Sequence, residues 1–371
     1  MSLRAVRVAG TGSFLPGPPV SNDRLEAVLG TLDNASPKVK KFVDNQGRKF
    51  LELGGIVSRH FAVDPDTGNL THTFSTLAEE ATRQALEMAG MKPQEIELIV
   101  VSCPTYDYGT PPTSALLQER LNIANCAEIE VHSNCAGVGK SVQIAFDALR
   151  TGRYKTAVVA YSQLSSMFLR GCYLNQGKMD KVHAAMRWIL ADGAGALVLQ
   201  ARPNGNADHE IVDTFAESVA TGRRPGMTAG GYAADLMEAS CQIPQMYDQA
   251  LHHLWQDFAT VNKEAPALLL DGLCKFVKQM QLNTDAIDHY VVSIPTVQFY
   301  DGSIANFCQQ LGITRDRLKF RGDRTGYCGG ASILLHLDEM VRNGELKSGE
   351  TAIVHSVESS KWMSAGFAVR W

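Results

Sequence analysis

Met88-Ala-Gly-Met-Lys-Pro-Gln-Glu-Ile-Glu-Leu-Ile-Val-Val-Ser-Cys-Pro-Thr105 and Gln279-Met-Gln-Leu-Asn-Thr-Asp-Ala-Ile-Asp-His-Tyr-Val-Val-Ser-Ile-Pro-Thr296 are two versions of one pattern, 191 positions apart. Each is a helix end, a loop rich in acid and amide residues, an apolar strand and Ser-x-Pro-Thr. A second pair lies at nearly the same offset: Leu149-Arg-Thr-Gly152 before Thr156–Tyr161, and Val341-Arg-Asn-Gly344 before Thr351–His355. A near-constant offset over separate segments implies two copies of one α/β unit. Duplicated halves pack about a pseudo-twofold axis, so equivalent positions can converge on one site. Cys135 and Tyr327, 192 apart, are the sharpest such pair.

The 371 residues suffice for a duplicated domain with a large core. An apolar content of 45% with 20% charged residues is that of a soluble globular chain. A net charge of −4 gives no electrostatic case for nucleic acid or a membrane surface. No apolar run approaches the ~18 residues of a membrane span. The start reads as a strand and shows no secretory apolar core. Eight scattered cysteines, without a Cys-x-x-Cys pair or Cys/His cluster, argue for reduced thiols in the cytoplasm and against a metal site.

Leu77, Ala78, Ala81, Ala85 and Met88 fall at helical spacing before Gly90, and Val138, Val142, Ala145, Phe146 and Leu149 before Gly152. Strands are expected at 98–101, 127–131, 156–161 and 195–200. In the second half a helix near 269–281, a strand at 288–294, a helix at 331–342 and a strand at 351–355 repeat the order. Strand, helix, strand with long crossovers predicts largely parallel sheets covered by helices. The halves are assigned as 1–201 and 202–371. Three segments are not shared: a basic stretch at 32–50, a long connection at 163–190, and a Gly- and Asn-rich crossing at 202–235. Connections longer than ~15 residues inside a compact domain tend to carry function.

Cys135 sits where a strand turns into a helix, in Val131-His-Ser-Asn-Cys-Ala-Gly-Val-Gly139. A helix N-terminus favours a thiolate over a thiol. The small residues Ala136, Gly137 and Gly139 would leave room for a substrate at the sulfur. A buried structural cysteine in a tight turn is the alternative reading.

The residues also resemble a family. Gly10-Thr-Gly-Ser-Phe-Leu-Pro16, Gly55-Ile-Val-Ser-Arg-His60, Cys135-Ala-Gly137 and Ala191-Asp-Gly-Ala-Gly-Ala-Leu-Val198 are similar to segments of β-ketoacyl-acyl-carrier-protein synthase III, over nearly the whole chain. The resemblance implies a thiolase-like fold, layered α-β-α-β-α, with two duplicated halves about a pseudo-twofold axis. It implies a homodimer, and a thioester of coenzyme A or acyl carrier protein that acylates Cys135. The family's catalytic histidine and asparagine are not matched. Direct alignment puts Ser293 at the histidine position, a small gap offers Val297 or Gln298, and the asparagine position falls on Tyr327. The glycine-rich oxyanion loop is altered to Glu358-Ser-Ser-Lys-Trp362, which adds Ser360 to the substrate-binding candidates. Thr110 matches the gate that one subunit lends to its partner's acyl pocket, unless Tyr106 or Tyr108 fills that space.

The expected activity is acyl transfer from acyl-CoA or acyl carrier protein through Cys135, in fatty-acid, polyketide or secondary-metabolite biosynthesis, without a cofactor. Losing one oxyanion donor costs roughly 10²–10³ in rate, so decarboxylative condensation is doubtful. Acylation survives better, because a backbone N–H at the helix start can serve as donor. His132 and His355 are the candidate bases, and Cys328 is the second nucleophile candidate. The alternative is a catalytically silent subunit paired with an active homologue.

Overall fold

The computed structural model describes residues 3–202, 208–231, 233–237 and 242–371; Cys241 and part of the 202–235 crossing lie outside them. The first half runs β1 (Ala5–Phe14), β2 (Val20–Ser21), α1 (Leu25–Leu29), α2 (Pro37–Gly54), β3 (Ser58–Arg59), α3 (Phe74–Ala89) and β4 (Leu98–Cys103). It continues through α4 (Thr113–Arg120), β5 (Ala127–His132), α5 (Gly137–Arg150), β6 (Thr156–Leu164), α6 (Ser166–Leu169), α7 (Lys181–Ile189) and β7 (Asp192–Arg202). The second half starts with β8 (Glu210–Ser218), β9 (Met227–Ala229), α8 (Ile243–Asp248), β10 (Leu254–Gln256) and α9 (Phe258–Gln279). It ends with β11 (His289–Val292), α10 (Val297–Leu311), α11 (Ala331–Arg342), β12 (Thr351–Glu358) and β13 (Met363–Arg370).

Nine strands follow the order β11-β12-β13-β8-β1-β7-β6-β4-β5. Read outward from the β1/β8 junction, each side begins with the same sequence of first strand, last strand and two parallel strands, and the first half adds β5 at its edge. The duplication is thus visible as a mirrored strand order, with the pseudo-twofold between β1 and β8. Those two strands share only the Arg7–Glu210 pairing. Only the β4–β5, β4–β6 and β11–β12 neighbours run parallel. The pairs β1–β7, β6–β7, β12–β13 and β8–β13 are antiparallel. The expectation of largely parallel sheets is corrected on this point: β7 and β13 each run antiparallel to both of their neighbours. The 202–235 segment is likewise more than a crossing, because it contains the junction strand β8.

Helices α5 and α11 lie between the two halves, and α5 packs against β4 and β6 on one side and β8 and β13 on the other. Their apolar faces merge into one central core containing Val138, Val142, Phe146, Ile333, Leu334 and Leu337. The outer layers are α3 with α4 over one half and α9 with α10 over the other. The result is five layers, α-β-α-β-α. Helix α9 starts eleven residues before its expected beginning: Pro266 and the charged Lys263-Glu264 interrupt its apolar periodicity, while Asp257 caps it by accepting from the Thr260 N–H at 3.0 Å.

Close approaches explain several glycines that look functional in the sequence. A Cβ on Gly10 or Gly12 would lie 2.2 Å from a carbonyl oxygen of α3, so this pair lets β1 touch that helix. A Cβ on Gly139 would meet Ala365 and Gly366 of β13, and one on Gly137 would meet Ser102 and Tyr161. These glycines of the cysteine turn seat α5 between the sheets rather than open a path to the sulfur.

The 163–190 connection folds over the first half as a lid with α2. Asp180 caps α7, accepting from the Val182 N–H at 2.8 Å. Gly47 in α2 faces the Trp188 ring, which also packs on Phe42 and Phe50. The buried Asp192 carboxylate accepts from the N–H groups of Ala62 and Ser166, both at 2.8 Å, and anchors the connection. The Asp192-Gly-Ala-Gly195 motif therefore holds the lid in place.

His336 and His355 are buried in the core, and burial pushes both down to about 3. From pH 6.5 down to about 3 the unfolded chain binds protons at these rings that the folded chain does not, so stability falls as pH falls through that window. Asp192, raised by burial to about 6, opposes this between about 6 and its ordinary value. Urea unfolding from pH 7 to 4 should show stability declining, with a shallower decline in His355→Leu; an unchanged pH slope in that variant would contradict the assignment.

Candidate active site

Strand β5 delivers the chain to the start of α5, and the Thr325–Gly330 turn delivers it to the start of α11. Because the two helices lie side by side across the pseudo-twofold, their entry turns face each other. Tyr327 is clamped there: its N–H donates to the Ile189 carbonyl at 3.0 Å, and its own carbonyl accepts from the Ala191 N–H at 3.0 Å. Its hydroxyl lies 2.8 Å from Cys135 Sγ and 2.7 Å from Ser293 Oγ. Ser293 reaches this position because β11 ends at Val292, and its N–H donates to the His355 carbonyl at 3.1 Å. Thiol, phenol and alcohol form one hydrogen-bonded row.

The row opens into a cavity of about 700 Å³. Cys135, Tyr327, Ser293, His132, Gln298 and Ser360 all line it. One arm is apolar, bounded by Phe42, Phe50, Phe168, Met186, Ile189 and Leu254 from the lid and from β10. Thr110 is not on this wall; it stands on an exposed loop of the chain's own surface. Val297, offered by the gapped alignment, packs on Gly55 instead.

The helix start does not yield a thiolate. Burial is the largest influence on Cys135 and, with the negative charge of Glu358, outweighs the hydrogen bonds of Tyr327 and Ser293; the thiol is pushed up to about 12. At pH 7 roughly one molecule in 10⁵ is then a thiolate, about 7 kcal/mol above the thiol. The Ala136 N–H, expected as an oxyanion donor, already donates to Glu358 Oε2 at 3.3 Å, and the Gly137 N–H donates to the Asn134 carbonyl at 2.8 Å. Tyr327 is also held well above its ordinary value, by burial first and the neighbouring Cys135 second. Both groups of the pair are protonated at neutral pH.

The two histidine candidates fare differently from each other. His355 is fully buried, its ring nitrogens have no hydrogen-bond partner among the described residues, and it packs against Phe215 and Phe276 away from the cavity. It is a core residue, not a base. His132 is on the wall, but Nε2 lies 3.0 Å from the Pro104 carbonyl and Nδ1 2.9 Å from the Tyr106 hydroxyl. A carbonyl only accepts, so Nε2 carries the proton and Nδ1 accepts from Tyr106; its basic nitrogen is occupied. Cys328 is buried behind the turn, its Sγ 3.3 Å from the Asp192 carbonyl oxygen.

Glu358, quoted in the sequence only as part of an altered loop, stands on the wall of the same cavity. It ends β12 on the cavity wall, 5% exposed. Ser133 Oγ donates to its Oε2 at 2.5 Å, Ser360 Oγ donates to Oε1, and Lys140 Nζ donates to Ser133 Oγ at 2.8 Å. An acid where glycine is familiar was the available signal.

A family model described as 3-oxoacyl-[acyl-carrier-protein] synthase III C terminal matches residues 277–369. Solved structures share the fold over both chains' full length. A tetronic acid condensing enzyme, AbyA1, is 24% identical, with 99% of this chain and 100% of that one covered and a TM-score of 0.78. The 3-oxoacyl-(acyl carrier protein) synthase III of Pseudomonas aeruginosa is 20% identical, with 99% and 98% covered and a TM-score of 0.77. A variant of OleA from Xanthomonas campestris is 16% identical, with 100% and 99% covered and a TM-score of 0.75. The chain has the fold of these synthase III-type structures, and its C-terminal residues 277–369 match the model of that family.

Because the Cys135 thiol sits far above neutral pH, its alkylation should rise about tenfold per pH unit from pH 7 to 10 without a plateau. Iodoacetamide labelling mapped to the Cys135 peptide measures this; a plateau below pH 9 would contradict the half-buried, protonated thiol.

Proposed function

We propose that this protein is an acyltransferase of the synthase III type, which takes an acyl group from acyl-CoA or acyl carrier protein onto Cys135 and passes it to an acceptor. The observation that carries the reading is the Cys135–Tyr327–Ser293 row at the wall of a cavity large enough for an acyl thioester. The cysteine, the open cavity and the lid favour transfer over a silent subunit, which would need none of them.

In acylation, Sγ bonds to the thioester carbonyl carbon and the bond from that carbon to the carrier sulfur breaks. The thiol proton passes to the Tyr327 oxygen, and the tyrosine proton goes to the departing sulfur. This exchange avoids a free thiolate, which the burial of the sulfur makes costly. Ser293 fixes the phenol between the two sulfurs by holding it at hydrogen-bond distance. The reacting groups are neutral before and after, so the relay needs no histidine.

Decarboxylative condensation is a poorer match. An enolate needs two donors aimed at its oxygen, whereas the hydroxyls at these positions bond each other and the sulfur. Fatty-acid, polyketide or related secondary metabolism is the setting that this substrate class suggests. We also place the protein in a homodimer: β5 is a sheet edge with Ile129 exposed, and the Thr110 loop beside it is open.

Intact-protein mass after incubation with a panel of acyl-CoA thioesters should show one acyl adduct, on the Cys135 peptide and absent from Cys135→Ala. An adduct that persists in that variant would move the nucleophile elsewhere. Sedimentation should give a dimer at micromolar concentration, and a monomer there would remove the partner-gate role of Thr110.

A further inference from the structure

We propose that Glu358 is the base that takes the proton of the acyl acceptor, and that the acceptor is therefore a hydroxyl or an amine rather than a malonyl-type carboxylate. The inference rests on the acyl-Cys135 reading and assigns its second half. The partners that hold Glu358 are all neutral: the Ser133 and Ser360 hydroxyls and the Ala136 N–H. A carboxylate 5% exposed and held this way is expensive to keep unless it has a use. It offers about four acceptor sites, and three are taken. The remaining one is available on a residue that lines the same cavity as the sulfur.

The position is as informative as the burial. The amide N–H that donates to Glu358 belongs to Ala136, the residue after Cys135, and Ser356, two residues before Glu358, donates to the Cys135 carbonyl at 2.5 Å. Strand β12 is thereby tied to the cysteine turn, and the carboxylate is fixed relative to the sulfur. Lys140 steadies it from α5 through Ser133, which donates its own proton to Glu358 and accepts from Lys140. The charged and titratable groups that feel Glu358 are Lys140 from α5, Cys135, Tyr327 and Tyr161.

The site carries one fixed negative charge where a condensing enzyme must receive a second one. A malonyl carboxylate would meet repulsion, whereas an O–H or N–H group would find an acceptor. In the transfer step the acceptor oxygen or nitrogen bonds to the acyl carbon, its proton moves to Glu358, and the bond from that carbon to Sγ breaks. The proton then returns from Glu358 to the sulfur, which restores the thiol. Nothing is oxidised or reduced.

The test isolates the acylated protein and follows its decay by mass with water, n-butanol and n-butylamine as acceptors, in the wild type and in Glu358→Gln. Glutamine keeps the shape and a hydrogen-bonding carbonyl, and a thermal melt matching that of the wild type reports that the fold is intact. The expected result, on proteins that are both already acylated, is transfer slower by roughly 10²-fold in the variant, the span of one general base. A wild-type chain that takes no acyl group overturns the acyl-enzyme reading and this one with it. A wild-type acyl-enzyme that decays no faster than Glu358→Gln with any of the three acceptors overturns this one alone.

Discussion

The Tyr327 hydroxyl, 2.8 Å from Cys135 Sγ and 2.7 Å from Ser293 Oγ, lies at the contact on which the two halves of the chain converge. It can be there only because α5 and α11 lie side by side between the sheets, which in turn requires Gly137 and Gly139 to admit the neighbouring strands. The clamp on the tyrosine backbone comes from Ile189 and Ala191, directly before the buried Asp192 that anchors the lid. Lid, motif and nucleophile are thus one continuous arrangement. A displacement at Asp192 would be felt at the sulfur through two backbone hydrogen bonds.

Burial shapes the chemistry more than the helix start does. With a thiol pushed to about 12, the acylation proposed above has the neighbouring phenol manage its proton in the same event as bond formation. The same enclosure keeps Tyr327 protonated and makes it a donor. Glu358 adds a negative charge on the wall of the same cavity and occupies the Ala136 amide of the cysteine turn. On the proposed acyl-transfer reading, these groups suit neutral acceptors and disfavour the build-up of enolate charge.

The fold was largely legible because duplication leaves a constant offset that periodicity can expose, and the Cys135–Tyr327 pairing followed from that offset. Strand direction was not legible: β7 and β13 are continuous apolar runs whether they run parallel or antiparallel to their neighbours. The start of α9 was hidden by Pro266, and the roles of Gly137, Gly139 and Asp192 by the fact that close packing and substrate access call for the same small residues. His355 looked like a base because a sequence does not show that Gly272 and Gly366 press on both sides of its ring. Glu358 stood in plain view, but its partners Ser133 and Ala136 are more than two hundred positions away.

The claim that the tyrosine–serine pair has replaced the donors of a condensing enzyme is tested most directly by carbon dioxide release from malonyl-CoA, measured on the acylated protein. The account predicts negligible release from the wild type, and a gain in the double variant Tyr327→Asn, Ser293→His. Wild-type release at the rate of an intact synthase would contradict it.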